Sequence, residues 1–412
     1  MIAIIGAGLQ GACLALELAA LGQAVTLIDA ALEPMSEASR WNEGKLHLGF
    51  VYANDPSRRS ADAMLQASLE FLPTLERLLG RDLSHVVARN RFVYGVPTDS
   101  LVTVAQVAAH FEGIARRLAE HGARWPRIFG GSAWLPPERV AVDGIFDGDR
   151  VAAAFSTPEI AVDTHALADM VAARLREEPL VRLVTGAEVT SVARQDGMFR
   201  LDFADGSSES GFRSVVNASW RSLMRLDATV GCHASRPWLY RYKTAIHVRG
   251  SAATIPSCTF IVGPYGDIVN FGDGRFYLSW YPTCRLAMSD QADLPQMADL
   301  DSGRGAAIAT ESLQGLAKLI PGVASIALDE VPNVHGGWIF AWGGSDITDR
   351  RSELHQRHDV GAFVDSGYIS VNTGKYCMAP LNALRLARRI RVSIGVGRGP
   401  RIGVQEGPPF GF

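Results

Sequence analysis

Residues 2–5 are an uninterrupted apolar run that reads as a buried parallel strand. A glycine-rich turn follows, then a helix rich in Ala and Leu over 10–21, ended by Gly22, and a second strand over 24–29. This strand–turn–helix–strand order is the βαβ unit. Residues 36–53 read as a polar loop with a strand-like end, and 58–79 as a helix. From 86 to 155 the pattern is mixed, with a proline-bearing loop at 134–137. Residues 158–163 precede a helix over 164–177, and strand-like runs follow at 181–185, 188–192 and 199–203. Asp205-Gly206 reads as a hairpin turn, and 215–218 as another buried strand. Residues 238–282 alternate apolar and polar positions with interspersed aromatics, the pattern of an antiparallel sheet. A helix is expected over 307–319, a strand over 367–372, a turn at 373–375 and a closing helix over 379–390. Residues 395–412 are rich in Gly and Pro and read as a poorly ordered tail. No internal repeat is visible.

A chain of 412 residues exceeds one ordinary core, so two interleaved domains are expected. Forty basic residues against forty-three acidic ones give a net charge of -3, which points to neither a nucleic acid nor an anionic membrane surface. Five scattered cysteines form no CxxC pair and no Cys/His group with metal-ligand spacing. We therefore expect no metal, no disulfide framework and a reducing, cytoplasmic setting. Met1 leads straight into the first strand without a basic region, and no run reaches the ~18 apolar residues of a membrane span, so neither a signal peptide nor membrane association is expected.

The most informative motif is GAGLQG, with Gly6, Gly8 and Gly11 between the first strand and first helix. Gly6 suits the tight turn, Gly8 the close approach of a pyrophosphate, and Gly11 close helix–strand packing. Leu9 and Gln10 open the helix, whose free N–H groups and partial positive charge favour phosphate. Asp29, beside Ala30, ends the second strand, where a carboxylate can accept hydrogen bonds from a ribose diol. These residues alone fit either a flavin or a nicotinamide dinucleotide. A nicotinamide domain would continue with further βαβ units, whereas this chain enters a long polar loop.

At that loop the chain resembles the D-amino-acid oxidase superfamily of FAD enzymes, also called the glycine oxidase or glutathione-reductase-like FAD group. Four patches carry the resemblance: GAGLQG with Asp29; ASRWNEGKLHLG from Ala38; PEIAVD, GAEVTSV and VVNASW; and GYISVNTGKYCMAP. The second is similar to the segment under the flavin in L-2-hydroxyglutarate and glycerol-3-phosphate dehydrogenases. The resemblance implies FAD contacts from Ser39, Arg40, Asn42, Lys45, Leu46 and His47. It implies contacts near the adenosine half from Val189, Asn217 and Ala218. It places Gly374, Lys375 and Tyr376 at the flavin ring, where a lysine or helix terminus would stabilise the negative charge of a reduced flavin.

His47 is the leading catalytic candidate. An imidazole with a pKa near neutrality would take the proton of a substrate hydroxyl while hydride leaves the adjacent carbon. Two other readings stay open: His47 packs beside the ring, or it tethers the flavin covalently. Lys375 is equally an exposed turn lysine, and Cys377 reads best as a small buried residue. Arg241, Tyr242 and Tyr281, from two aromatic and basic strands, are substrate candidates, an arginine there serving to clamp an anion. Trp338 stands in HGGWIFAWGG, where several relatives have a Gly-x-Arg-Pro element whose arginine binds the substrate carboxylate. That departure puts a standard amino-acid or hydroxy-acid substrate in doubt. Arg350 and Arg351, near His355 and His358, are candidates to compensate, although their segment also reads as a solvated surface.

The expected fold is α/β: a Rossmann-like FAD-binding domain of glutathione-reductase type, interleaved with a mixed, mainly antiparallel β-sheet substrate domain. The FAD domain would comprise 1–85, 155–235 and 330–394, the substrate domain 86–154 and 236–329, and the tail 395–412. The expected activity is hydride transfer from a CH–OH carbon of a small polar substrate to FAD, with oxygen or a soluble carrier as acceptor. The alternatives are an FAD-dependent amine or amino-acid oxidase, a nicotinamide-dependent dehydrogenase, and a non-catalytic flavoprotein.

Overall fold

Four apolar runs and a terminal hairpin meet in one six-stranded sheet. Its order is Gly361–Asp365, Tyr368–Asn372, Ser214–Asn217, Ile2–Ile5, Val25–Ile28 and Val181–Val184. All neighbours are parallel except the first pair, whose edge strand runs antiparallel. Ile2–Ile5 and Val25–Ile28 are buried along their whole length, which is why both read as continuous apolar runs. Helix Leu9–Ala20 packs on this sheet and against Arg59–Leu79 and Ala379–Gly395. The computed structural model describes residues 1–88, 90–121, 135–251, 255–328 and 330–395. Trp134 of the expected proline loop and residues 396–412 of the tail lie outside the described residues.

A ten-stranded mixed sheet forms the second layer, organised around Trp238–Ser251. This strand pairs antiparallel with Arg275–Trp280, Arg285–Ser289 and Asn333–Trp342. The last pairing corrects the boundary expected at residue 330. Asn333–Trp342 belongs to the large sheet, because its alternating aromatics match those of Trp238–Ser251 along ten paired positions. The expected helix over 307–319 instead spans Ser302–Ala317, with Asp301 accepting from the Arg304 N–H as its N-cap.

Strand alternation gives the large sheet two unlike faces. Ile246, Val248, Cys258, Ile268 and Leu278 form an apolar core with helix Ser302–Ala317 on one side. The other face carries Ala245 and Tyr277, which pack with Ala88, Ala161 and Trp41. Arg241, Lys243 and His247 alternate with Ala245 in register and share that face. A small three-stranded sheet, Lys45–Leu46, Ile160–Val162 and Val87–Ala88, lies between the layers and carries the segment that leads to His47.

Candidate active site

The glycine turn is built tightly at two positions and left open at the third. Gly6 has φ +101°, and a Cβ there would meet the Ala218 carbonyl oxygen at 2.6 Å. A Cβ at Gly11 would meet the Gly6 carbonyl oxygen at 1.9 Å, so helix and turn touch through backbone alone. At Gly8 an added Cβ would meet only the Ser39 hydroxyl, at 3.0 Å. Gly8 is the N-cap and has no side chain to cap the helix, and the first turn holds no acid, the arrangement that suits phosphate.

Asp29 binds the turn to the second strand. Its carboxylate accepts from the Ala7 N–H at 2.5 Å and the Ala31 N–H at 2.8 Å, with Ala30 exposed beside it. The Ser39 hydroxyl accepts from the Leu9 N–H at 2.9 Å, so it already sits at the helix N-terminus. Gln10 is buried, and neither amide atom has a hydrogen-bond partner among the described residues. Val189 is buried where its strand begins, and the Ala218 N–H donates to Ile5.

Four of the residues expected at the cofactor have protein partners. The Arg40 guanidinium pairs with Asp169 at 2.5 Å, drawn there by the carboxylate on helix Thr164–Glu177. The Asn42 amide closes its own loop, donating to Ala38 and Ser39 and accepting from the Gly44 N–H. Lys45 is fully buried; its ammonium donates to the Thr259 hydroxyl and lies over the Phe92 and Tyr94 rings, on the large sheet. Asn217 uses its side chain on Leu223, Asp227 and Ser219, which knits the end of its strand to the following helix. Each of these four side chains is engaged by a protein partner.

His47 follows buried Leu46 and is itself 4% exposed. Its backbone is clamped: the Ser68 hydroxyl donates to the His47 carbonyl at 2.6 Å, and the Leu48 N–H donates to Glu159 at 2.7 Å. Neither ring nitrogen has a hydrogen-bond partner among the described residues. The expected pKa near neutrality is corrected: burial, then the nearby Lys375 cation, push the imidazole down to about 3 despite Glu43. The ring is neutral at physiological pH.

Glu43, which carried no expectation, sits 3.5 Å from His47 Nε2 and 3.9 Å from the Lys375 ammonium. Burial opposes its charge, but His47 and Lys375 hold its carboxyl well below the usual range. Nothing in the chain's periodicity signals this contact. The spacing of four residues means little outside a helix, and Glu43 reads as one more loop polar. Gly374 anchors the turn through its N–H to Asn372 at 3.0 Å. The Tyr376 hydroxyl is buried and unpartnered, its ring against Phe71. Cys377 faces the core, its Sγ 3.8 Å from Met64 Sδ.

The four substrate candidates divide between the two sheet faces. Arg241 and Tyr281 come together on one side, Nη1 donating to the tyrosine hydroxyl at 3.3 Å, and Tyr281 donating to Asp346. Tyr242 and Trp338 are cross-strand partners on the opposite face, packed edge to face at 5.3 Å. Trp338 is buried with Leu223, Met224, Tyr240 and Phe340, so it does not join Arg241. Arg350 and Arg351 are set on a turn where Arg351 is exposed and pairs with Asp349, as a surface segment would.

The orphaned polar atoms of Gln10, His47 and Tyr376, with the opening at Gly8 and the acid-free helix N-terminus, fit a large ligand carrying both phosphate and a polar ring. The comparisons agree. A sequence model of the family "FAD dependent oxidoreductase" (DAO) matches residues 1–388. Glycine oxidase from Geobacillus kaustophilus superposes with a TM-score of 0.66 at 17% identity, covering 95% of this chain and 94% of that one. L-proline dehydrogenase from P. horikoshii gives 0.64 at 16% identity, covering 95% and 93%. L-alpha-glycerophosphate oxidase from Mycoplasma pneumoniae, solved with FAD bound, gives 0.61 at 14% identity, covering 94% of each chain. A search of curated proteins finds no match to the chain. The chain belongs to the DAO family of FAD-dependent oxidoreductases, and its cofactor is FAD.

Proposed function

We propose that this family member oxidises a CH–OH carbon of a small polar molecule, with His47 taking the hydroxyl proton. The observation that carries the reading is the buried, neutral His47 ring with two unpartnered nitrogens and a carboxylate beside it. When bound, FAD supplies the hydride acceptor. We place its pyrophosphate at Gly8 and the N-terminus of Leu9–Ala20, and its ring near His47 and Lys375.

Oxidation of the alcohol breaks a C–H and an O–H bond and leaves a carbonyl. The proton passes to the free His47 nitrogen, and bound FAD would take the hydride. As the ring becomes cationic, the Glu43 carboxylate at Nε2 stabilises it. Lys375 keeps Glu43 ionised, so the acceptor of positive charge exists before substrate arrives. Burial of His47 excludes water from the transfer. We take oxygen or a soluble carrier as the electron acceptor; no helix among the described residues is long and apolar enough to cross a membrane.

A second reading, oxidation of a C–N bond, is favoured by the names of glycine oxidase, L-proline dehydrogenase and an iminodiacetate oxidase among the structural relatives. A neutral amine needs little help from a base, so this reading makes His47 dispensable. Anaerobic flavin bleaching in His47→Gln separates the two. Loss of bleaching supports C–O oxidation, and bleaching at the wild-type rate supports C–N oxidation.

A further inference from the structure

The large sheet carries a second opening, on the face turned away from His47. There a cavity of about 380 Å³ is lined by Asp99, Arg150, Tyr265, Trp280, Lys318 and Leu319. Alternation along Arg275–Trp280 sends Phe276, Leu278 and Trp280 to the apolar core under helix Ser302–Ala317, and Tyr277 to the face of Ala245 and Trp41. The aromatic strand therefore serves both sides of the sheet: Tyr281 meets Arg241, whereas Trp280 walls this cavity. Its volume is in the range of small-molecule sites, roughly 300–1,000 Å³.

The cavity is fixed by its own main chain. The Thr98 N–H donates to the Arg150 carbonyl at 2.9 Å, and the Asp147 N–H to the Leu319 carbonyl at 3.0 Å. The Leu101 N–H donates to Val262 at 2.9 Å, and the Tyr281 N–H to Tyr265 at 3.0 Å. The segments that supply the lining are thus tied to one another. Glycine backbone seats both rings. A Cβ at Gly315 would meet the Trp280 indole at 2.5 Å, and one at Gly263 would meet the Tyr265 ring at 2.5 Å. Each ring rests directly on main chain, which restricts its rotamer.

The polar groups of the lining are unevenly matched. The Tyr265 hydroxyl donates to Asp99 at 2.6 Å, so the carboxylate is already engaged. Burial, then Asp99, push the phenol up, and it stays a donor. Arg150 and Lys318 make no ion pair among the described residues. Two unpaired cations beside two fixed aromatic rings suit a flat ring that bears an anion. The ligand ring would pack on Tyr265 and Trp280, and its anion would take charge-assisted hydrogen bonds from the guanidinium and the ammonium.

We infer that this cavity binds a planar aromatic molecule carrying a carboxylate or a phosphate, remote from the reacting centre. The sheet separates the two sites, so the inference stands whether the oxidised bond is C–O or C–N.

Calorimetric titration of the FAD-loaded protein with indole-3-acetate, with phenyl phosphate and with tryptamine tests this. One or both anions are expected to bind, the tighter identifying the acidic group, and the cationic tryptamine is expected not to. Arg150→Gln and Lys318→Gln are each expected to weaken that anion several-fold, and the double variant at least ~10-fold. Both side chains are exposed and lack protein ion pairs, so these variants are expected to fold and to keep wild-type flavin reduction. Trp280→Leu is expected to weaken the same anion by removing the ring surface. The inference is overturned if neither anion binds the wild type, or if tryptamine binds as tightly as the anions. It is equally overturned if the double variant keeps wild-type affinity, as it would for an anion bound only beside the flavin.

Discussion

Glu43 places a carboxylate oxygen 3.5 Å from Nε2 of His47, close enough to receive the positive charge of the ring but without a settled hydrogen bond. Burial and Lys375 keep the ring neutral even with Glu43 beside it, so on the proposed reading the carboxylate acts only as positive charge develops on the ring during proton transfer. Glu43→Gln keeps the shape and removes the charge. Its flavin reduction by an alcohol substrate is expected to slow ~10- to 100-fold with little change in substrate affinity, since the interaction strengthens only as charge develops. Stopped-flow reduction traces check this; an unchanged limiting rate would remove Glu43 from the mechanism.

The three glycines of the first turn should respond differently to alanine. Gly11→Ala drives a methyl into the Gly6 carbonyl, so loss of folded protein is expected in circular dichroism and thermal melts. Gly8→Ala meets only a serine hydroxyl and is expected to fold normally. Its flavin content after purification should nevertheless drop, because the added methyl stands where the pyrophosphate approaches. A Gly8→Ala protein with full flavin content would contradict the placement of the phosphates.

Acid should weaken the fold in a definite window. Burial pushes both His47 and His247 down to about 3 from the ordinary 6.5, so between these values the unfolded chain holds protons that the folded protein refuses. The stability they permit is complete above about 6.5 and declines as pH falls toward 3. The slope is at most about 1.4 kcal/mol per pH unit for each ring. Urea midpoints at pH 7, 5.5 and 4.5 are expected to fall in that order, and less steeply in His247→Phe. Equal slopes for the two proteins would show that His247 is not held neutral.

Asp227 ties the nucleotide sheet together from below. Its carboxylate accepts from Asn217 at 2.8 Å, Tyr368 at 2.8 Å and Ser370 at 2.6 Å. Removing it strands three buried donors, so Asp227→Ala is expected to lose roughly 3 kcal/mol in denaturant unfolding. A loss under ~1 kcal/mol would mean the network relaxes onto water.

The parts of this molecule legible from its sequence are those where one local pattern decides the outcome. The apolar runs at Ile2–Ile5 and Val25–Ile28, and the glycine spacing between them, admit few alternatives, and the family match over residues 1–388 agrees. His47 stood out as a titratable group in a loop, but its depressed pKa depends on burial by elements far along the chain. Arg40, Asn42, Lys45 and Asn217 are cofactor contacts by the family resemblance. Each has a protein partner, Asp169, the loop backbone, Thr259 or Asp227, that pattern alone does not reveal. Trp338 and Arg241 are both substrate candidates by sequence, and only the register of Trp238–Ser251 with Asn333–Trp342 puts them on opposite faces.

The central claim is that His47 is the base in oxidation of a C–O bond. Its most direct test is anaerobic flavin reduction of wild type and His47→Gln by a panel of hydroxy acids and hydroxy phosphates, each matched to its amino analogue. Photoreduction serves to show that the flavin of both proteins can be reduced. The account predicts that a hydroxy compound bleaches the wild type, that its amino analogue does not, and that His47→Gln is slower by ~10²-fold or more. Bleaching by the amino analogue at the same rate in both proteins would contradict it and assign the chemistry to a C–N bond.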